Sequence, residues 1–259
     1  MKLNAPIIMI MEAFNLSHIF TIVIMPAIIC LALNYSLKNR SDKTKKNILM
    51  IICCFNALLY LSYKIVQAND PDYNFDIFTN LPLHFCNINL ILLPLSILLK
   101  NKYLMAYQFY FGTVLAALAL VTIDPAFRGK PLFEFTCLVY FYYHSMLAVL
   151  PVLLVKFKFY TPSFKVIWQP ALILTGLTFV MHIVNVLFKT TGIAPEANYF
   201  FTYGLKGDFF TEFFWSILPY EFFFLLPSML TFAPYIFFTT LPFHLAARRK
   251  SKLKPTIQT

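Results

Sequence analysis

The sequence predicts an all-α, polytopic membrane protein folded as a bundle of seven transmembrane helices. Three observations lead to this fold class: a very apolar composition, seven apolar stretches that are each long enough to cross a bilayer, and loops whose charge alternates from side to side. Of the 259 residues, 59% are hydrophobic and only 12% are charged, whereas soluble domains are about half apolar and about a quarter charged. This composition excludes a soluble globular domain and a disordered chain.

The apolar stretches follow one another with short connections, which predicts a single integral membrane domain over residues 1–259. A helix crosses the hydrocarbon core with about 20 residues. The last stretch is longer than that and contains four prolines, which predicts that it tilts or kinks. The predicted spans are 16–37, 48–66, 80–99, 103–122, 132–155, 166–188 and 213–245, and a basic tail follows at 246–259.

The distribution of charge predicts the orientation. Fifteen of the 21 lysines and arginines fall in the first, third and fifth loops and in the C-terminal tail. Loops rich in lysine and arginine stay in the cytoplasm, so we expect the N-terminus outside and the C-terminus inside. The net charge of +10 therefore reflects the cytoplasmic loops and a tail that meets anionic lipid, and we expect no binding to nucleic acid.

The cysteines predict neither disulfides nor a metal site. There are five of them, all within apolar stretches, and an odd number of scattered intramembrane thiols is no disulfide framework. No Cys/His spacing is typical of zinc, and no nucleotide-binding motif is present. We expect no metal and no cofactor.

Polar side chains within the predicted spans are the candidate site residues. An ionisable group at the centre of a membrane helix costs ~2.5–3.5 kcal/mol on insertion scales, so those present are functional candidates by default. All lie toward the predicted outer leaflet, and one polar cavity open to the outside would satisfy them together. They are His84 and Cys86 in the third span, His144 in the fifth, His182 and Asn185 in the sixth, and Glu221 in the seventh.

Structural interpretations compete with this one. A lone histidine can simply hydrogen-bond a neighbouring carbonyl, and a membrane cysteine is usually a small apolar filler. Glu221 needs a partner, for which His182 has a similar predicted depth. In a continuous helix His84 and Cys86 would be ~200° apart, so they would not reach the same spot. Tyr140, one turn before His144, would either orient the imidazole or line a lipid groove.

Several short motifs together resemble a known family. They are Leu81-Pro82-Leu83-His84-Phe85-Cys86, Tyr143-His144-Ser145, Val184-Asn185 and Ala197-Asn198-Tyr199-Phe200. With the seven-helix layout, they are similar to the YwaF-type bacterial integral membrane proteins, which are related to the transmembrane protein 164 (TMEM164) acyltransferases. The resemblance implies a multi-pass protein of the bacterial plasma membrane that transfers acyl groups between lipids, with Cys86 and His144 as the catalytic pair.

This resemblance suggests a mechanism in which Cys86 attacks a phospholipid ester and His144 takes the thiol proton. A lysophospholipid hydroxyl would then intercept the acyl-enzyme, because dry surroundings favour transfer over hydrolysis. His84 remains the alternative to Cys86. Residues that would hold the oxyanion or the headgroup are Asn185, Asn198, Tyr199 and His182.

The chief alternative is a proton-coupled transporter or channel that uses the same intramembrane His, Glu and Asn side chains. A retinal photoreceptor is excluded because the last predicted span contains no lysine for a Schiff base. The expected partners are membrane phospholipids, as substrate and as solvent. No obligate protein partner is implied.

Overall fold

The structure, a computed structural model, describes residues 10–71, 73, 75–204 and 209–252. Over these ranges it is helical, and its only extended pairing is an isolated bridge between Ile10 and Pro131. Six helical segments in the described chain are long and apolar enough to cross a membrane. An all-helical, multi-pass membrane protein is therefore confirmed. Residues 253–259 of the predicted basic tail lie outside the described residues.

The helices are numbered here in chain order. Two single turns, Leu225–Ser228 and Met229–Thr231, lead directly into the last one, so the apolar segment Leu225–Arg249 is long enough to cross. The helices are α1 (Leu16–Leu37), α2 (Asp42–Ala68), α3 (Phe85–Leu98), α4 (Lys102–Val121), α5 (Phe135–Lys156), α6 (Trp168–Thr191), α7 (Phe209–Ile217) and α8 (Phe232–Lys252).

Polar residues at the helix ends explain several boundaries. Asn15, Ser41 and Asn101 precede α1, α2 and α4, and each accepts a hydrogen bond from a backbone N–H of the first turn. Such caps satisfy N–H groups that have no partner within the helix. Gly192 ends α6 with φ 70°, a left-handed conformation that glycine adopts without steric cost.

The third predicted span, 80–99, is wrong at its start, because the helix begins only at Phe85. Its 14 residues rise about 21 Å, less than the ~30 Å hydrocarbon core. Pro82 lacks an N–H and restricts the residue before it. In addition, Asp76 Oδ1 accepts a hydrogen bond from Thr79 N at 2.8 Å, and Asn80 Nδ2 donates to Asp76 O at 2.9 Å. These bonds hold the preceding segment in a turn.

The last predicted span, 213–245, is also wrong as one continuous helix. α7 ends at Ile217 and helical structure resumes at Leu225. Pro219 interrupts the hydrogen-bond ladder, and Phe222 has φ 63°. Phe222 N donates to Thr202 O at 2.8 Å, so this break is tied to an earlier loop. The sequence predicts a kink in this span, and in the structure the helix is fully interrupted there.

The chain divides into two compact units, Met1–Phe159 and Tyr160–Thr259, which are described separately. In the first unit α5 lies at the centre and packs against α1, α2, α3 and α4. Most of its side chains are buried, including those of Cys137, Ser145 and Leu153. Residues projecting from α5 therefore face other helices, which makes it the element around which a site in this unit forms.

A close approach inside α4 gives the first testable prediction. Its middle is a π-helical turn, Gln108–Gly112, and a Cβ on Gly112 would lie 2.6 Å from Gln108 Oε1. Because Gln108 is fully buried, we expect Gly112→Ala to lower the free energy of unfolding by about 1–3 kcal/mol. The control is Gly176→Ala in α6, where nothing lies within 4 Å and alanine favours the helix. Thermal unfolding in detergent measures the stability of both variants. Equal effects would contradict the close packing of Gln108 on Gly112.

Candidate functional site

Cys86 lies in the first turn of α3. His84 precedes the helix as its N-cap residue, with φ −73° and ψ 161°. The ~200° separation expected for a continuous helix therefore does not apply to this pair. The N-terminal end of a helix carries partial positive charge and N–H groups without a helical partner. Cys86 thus lies near a helix end whose N–H groups can stabilise negative charge on a nearby oxygen.

The imidazole of His144 packs on two tyrosines whose phenols also lie within electrostatic range of the Cys86 thiol. His144 is only 3% exposed, and its ring centroid lies 4.2 Å from that of Tyr140 and 4.0 Å from that of Tyr143. Cys86 interacts electrostatically with the phenols of the same two tyrosines. The packing of α3 against α5 therefore brings both residues to one aromatic cluster.

The hydrogen bond of His144 fixes its tautomer. Its Nδ1 lies 2.9 Å from the backbone carbonyl oxygen of Tyr140. A carbonyl only accepts, so in the neutral ring Nδ1 carries the proton and Nε2 carries the lone pair. Tyr140 is anchored in turn, because its hydroxyl donates to Ala119 O at 3.2 Å. Tyr140 thus orients the imidazole through its carbonyl and its ring.

Other buried polar groups lie in α3, α4 and α5 of the same unit. Gln108 Nε2 donates to Asn89 Oδ1 at 3.1 Å, while Gln108 Oε1 and Ser145 Oγ have no hydrogen-bond partner in the described part of the chain. Sequence reasoning did not select Gln108 or Ser145. A polar side chain inside an apolar span was the available signal. No group of three or more His, Cys, Asp or Glu in the described ranges is arranged to hold a metal ion.

A polar cavity of about 230 Å³ lies in the first unit where α2 ends and α3 begins; we call it the loop-end cavity. His84 and Asn87 line it, together with Lys64 and Asp124. Cys86 is not among its lining residues. The turn that begins α3 therefore presents His84 and Asn87, but not Cys86, to the cavity.

Lys64 is a residue that sequence reasoning missed. It lies within the second predicted span, so a count of charges by loop passes over it. Its Nζ donates to Gln67 Oε1 at 2.9 Å and to Asn80 Oδ1 at 3.1 Å. It also lies 5.3 Å from the centroid of the Tyr63 ring. A lysine inside an apolar stretch was the signal that could have found it.

In the second unit, His182 and Glu221 line one cavity of about 470 Å³. His182 Nδ1 lies 3.1 Å from Thr202 Oγ1, and the imidazole interacts electrostatically with the Glu221 carboxylate. Glu221 lies in the break between α7 and α8 and is exposed. The sequence predicts that His182 and Glu221 pair because they have a similar predicted depth. In the structure the two side chains line the same cavity.

Asn185 and Asn198 hold the loop that contains Tyr199. Asn185 Nδ2 donates to Tyr199 O at 2.8 Å and to Thr202 Oγ1 at 2.9 Å, and its Oδ1 accepts from Tyr199 N at 2.8 Å. Asn198 Nδ2 donates to Gly204 O at 2.7 Å. Because both N–H groups of Asn185 are used, it has none left for an oxyanion. Its geometry is that of a supporting residue.

The loop network predicts a stability effect. Asn185→Ala removes three buried hydrogen bonds and should lower the free energy of unfolding by roughly 2–4 kcal/mol. Asn69→Ala is the control, because Asn69 is exposed and its side chain makes one bond, to Ile65 O four residues earlier. Thermal unfolding in detergent compares the two variants. Similar midpoints would show that the loop network contributes little to stability.

Membrane-crossing helices with a thiol and an imidazole at one buried aromatic cluster define a polytopic membrane protein with an intramembrane polar site. The model of the TMEM164 family matches residues 13–239, which is well over half of the chain. The chain belongs to the TMEM164 family, as its motifs predict. No curated protein and no solved structure matches it.

Proposed function

We propose that this protein is an integral membrane acyltransferase that moves a fatty acyl group between phospholipids and lysophospholipids. The observation that carries the proposal is the aromatic cluster: His144, held with its Nε2 lone pair available, packs on two tyrosines whose phenols interact electrostatically with Cys86. A thiol in apolar surroundings stays protonated and inert unless a base activates it. An imidazole in this tautomer can be that base.

In the first half-reaction, His144 Nε2 takes the proton of the Cys86 thiol as sulfur attacks the ester carbonyl carbon. The S–C bond forms and the ester C–O bond breaks, which leaves an acyl thioester on Cys86. The imidazolium returns its proton to the departing glycerol oxygen, and a lysophospholipid leaves. Backbone N–H groups at the start of α3 would stabilise the oxyanion of the tetrahedral intermediate.

The second half-reaction reverses these roles. The hydroxyl of an acceptor lysophospholipid gives its proton to His144 Nε2 and attacks the thioester carbonyl. The new C–O bond forms, the S–C bond breaks, and the Cys86 sulfur recovers the proton from the imidazolium. Exclusion of water from the aromatic cluster would favour this transfer over hydrolysis.

The proposed topology has seven crossings, with the N-terminus outside and the C-terminus in the cytoplasm of a bacterial plasma membrane. Six of the crossings are the long apolar segments, and α3 would be the seventh. Non-helical backbone before α3 would complete that crossing, because such backbone is tolerated at membrane depth where it lines a cavity. This topology agrees with the distribution of lysine and arginine in the loops.

The direct test is acyl transfer by the purified protein in liposomes. The liposomes contain unlabelled diacyl phospholipid and a lysophospholipid with an isotopic label in its glycerol. We expect the label to appear in diacyl phospholipid over time, as measured by mass spectrometry of the extracted lipids. Protein-free liposomes and Cys86→Ala are the controls. If the wild-type protein left the labelled lysophospholipid unchanged, the proposal would be overturned.

A second candidate, a proton-coupled transporter, has one specific observation in its favour. Glu221 lies in the interruption between α7 and α8 and lines a cavity together with His182. Interrupted helices beside a substrate cavity are typical of transporter binding sites. Solute flux across liposomes that is lost in Glu221→Gln but kept in Cys86→Ala would support this candidate over the enzyme.

A further inference from the structure

We propose that the loop-end cavity binds the phosphate of a lipid headgroup and that Lys64 is its principal ligand. The inference deepens the proposed function and rests on it for the reaction that the bound lipid enters. It assigns a binding role to Lys64, which the catalytic proposal does not use. The chemistry recognised is a phosphate ester or a phosphate ion, and the experiment below separates these sources.

The charge of Lys64 lacks a contact anion. Both groups that accept its hydrogen bonds, Gln67 Oε1 and Asn80 Oδ1, are neutral amides. An ammonium group has three N–H donors, so one remains for a further acceptor. Lys64 is in neither of the ion pairs Lys45–Asp42 and Lys130–Glu134. The Asp124 carboxylate, which lines the same cavity, attracts the Lys64 ammonium without contacting it. Partial burial of a cation is costly unless an anion compensates it.

The surrounding residues hold Lys64 in place and keep the cavity polar. Asn80 Oδ1 also accepts a hydrogen bond from the Tyr73 hydroxyl at 3.0 Å. Burial raises the pKa of Tyr73, and the Asp124 carboxylate raises it further, so the hydroxyl stays a neutral donor that fixes Asn80. The Tyr63 ring lies beside the ammonium. The cation is thus oriented before any ligand arrives.

The end of α3 adds a second source of attraction for an anion. His84 and Asn87, at the N-cap and in the first turn, both line the loop-end cavity. The N-terminus of a helix attracts phosphate through its N–H groups and its dipole. Lys64 and this helix end therefore act on the same space. Lys64 is the sole lysine or arginine among the described residues that line it.

The size of the cavity fits a headgroup and is too small for a whole lipid. Its volume of about 230 Å³ is several times the ~30 Å³ that one water occupies. It is below the ~300–1,000 Å³ of sites that enclose a whole drug-sized ligand. A phosphate with part of the glycerol would fill it, and the acyl chain would stay among the membrane helices.

The position of the cavity explains how it would serve the reaction. Cys86 lies between His84 and Asn87 in sequence, and successive residues of a helix rise only ~1.5 Å. A phosphate bound at Lys64 would therefore hold the glycerol of the same lipid near the first turn of α3. Lys64 is then a substrate-binding residue whose loss raises KM more than it lowers kcat.

The test measures binding of three compounds to detergent-solubilised protein by thermal shift: a lysophospholipid, a monoacylglycerol with the same chain, and inorganic phosphate. In the wild type we expect the lysophospholipid to bind roughly 10–100-fold more tightly than the monoacylglycerol, the range expected for one charged hydrogen bond. Lys64→Met should abolish this preference and Lys64→Arg should keep most of it. Lys130→Met is the control, because Lys130 is paired with Glu134.

Each outcome decides a separate point. Binding of inorganic phosphate alone, lost in Lys64→Met, would assign the site to a free ion and overturn the headgroup proposal. Equal binding of lysophospholipid and monoacylglycerol by the wild type would overturn it without any variant, even if Lys64→Met failed to fold. A preference that depends on Lys64 in a protein without transferase activity would keep this site and refute the acyltransferase.

Discussion

Cys86→Ala is expected to abolish acyl transfer, with a fall in rate on the order of 10³-fold or more. The substitution removes the atom to which the acyl group would be bound, and loss of a covalent nucleophile is among the largest single effects known in enzymes. Transfer of a glycerol-labelled lysophospholipid into diacyl lipid measures it. Cys86→Ser should retain only a small residual rate, because a hydroxyl is a weaker nucleophile than a thiol at neutral pH.

A matched cysteine serves as the control for Cys86→Ala. Cys54 in α2 is a free and exposed cysteine, so Cys54→Ala removes a thiol without disturbing a packed interior. Its transfer rate should equal that of the wild type. If Cys86→Ala retained the wild-type rate, Cys86 would be excluded as the nucleophile and His84 would become the first alternative.

His144→Asn should lower the transfer rate by roughly 10²–10⁴-fold, the usual contribution of a general base. Asparagine keeps an N–H near the position of Nδ1 that can donate to the Tyr140 carbonyl, but it has no counterpart of the Nε2 lone pair. The fold should therefore persist while proton transfer is lost. Without the base, the rate should increase with pH, because hydroxide then supplies the thiolate.

The control for this variant is His244→Asn. His244 lies in α8, where its ring packs 5.4 Å from that of Phe164, and no catalytic role is assigned to it. Full activity in His144→Asn, or an equal loss in both variants, would refute the role of His144 as the base. Thermal unfolding of each variant separates loss of chemistry from loss of fold.

The sequence predicts the long helices well because their signal is local. An apolar run of about 20 residues needs no tertiary partner to be recognised, and α1 has the predicted bounds. The failures lie at 80–99 and 213–245, where hydropathy continues through residues that stop a helix. A hydropathy profile does not represent the hydrogen bonds of Asp76. Nor does it represent the left-handed backbone of Phe222, whose N–H donates to Thr202 O.

The candidate site was predictable only as a set of residue types. Cys86 and His144 stand out in the sequence because polar groups are rare in membrane helices. The tautomer of His144 follows from a bond within α5, to the carbonyl of Tyr140 one turn earlier. The approach of Cys86 to Tyr140 and Tyr143, in contrast, depends on the packing of α3 on α5. Likewise, the hydrogen bonds that use both N–H groups of Asn185 are made to Tyr199 and Thr202, which are 14 and 17 residues away. Spacing along one helix cannot reveal such partners.

The central claim is that the acyl group passes through a thioester on Cys86, and trapping that intermediate tests it most directly. The protein is incubated with acyl-labelled diacyl phospholipid without acceptor, quenched in acid, digested and analysed by mass spectrometry. We expect a hydroxylamine-sensitive acyl group on the peptide that contains Cys86, and its loss when lysophospholipid is added before the quench. Label transfer to lysophospholipid with Cys86 never acylated would contradict the account.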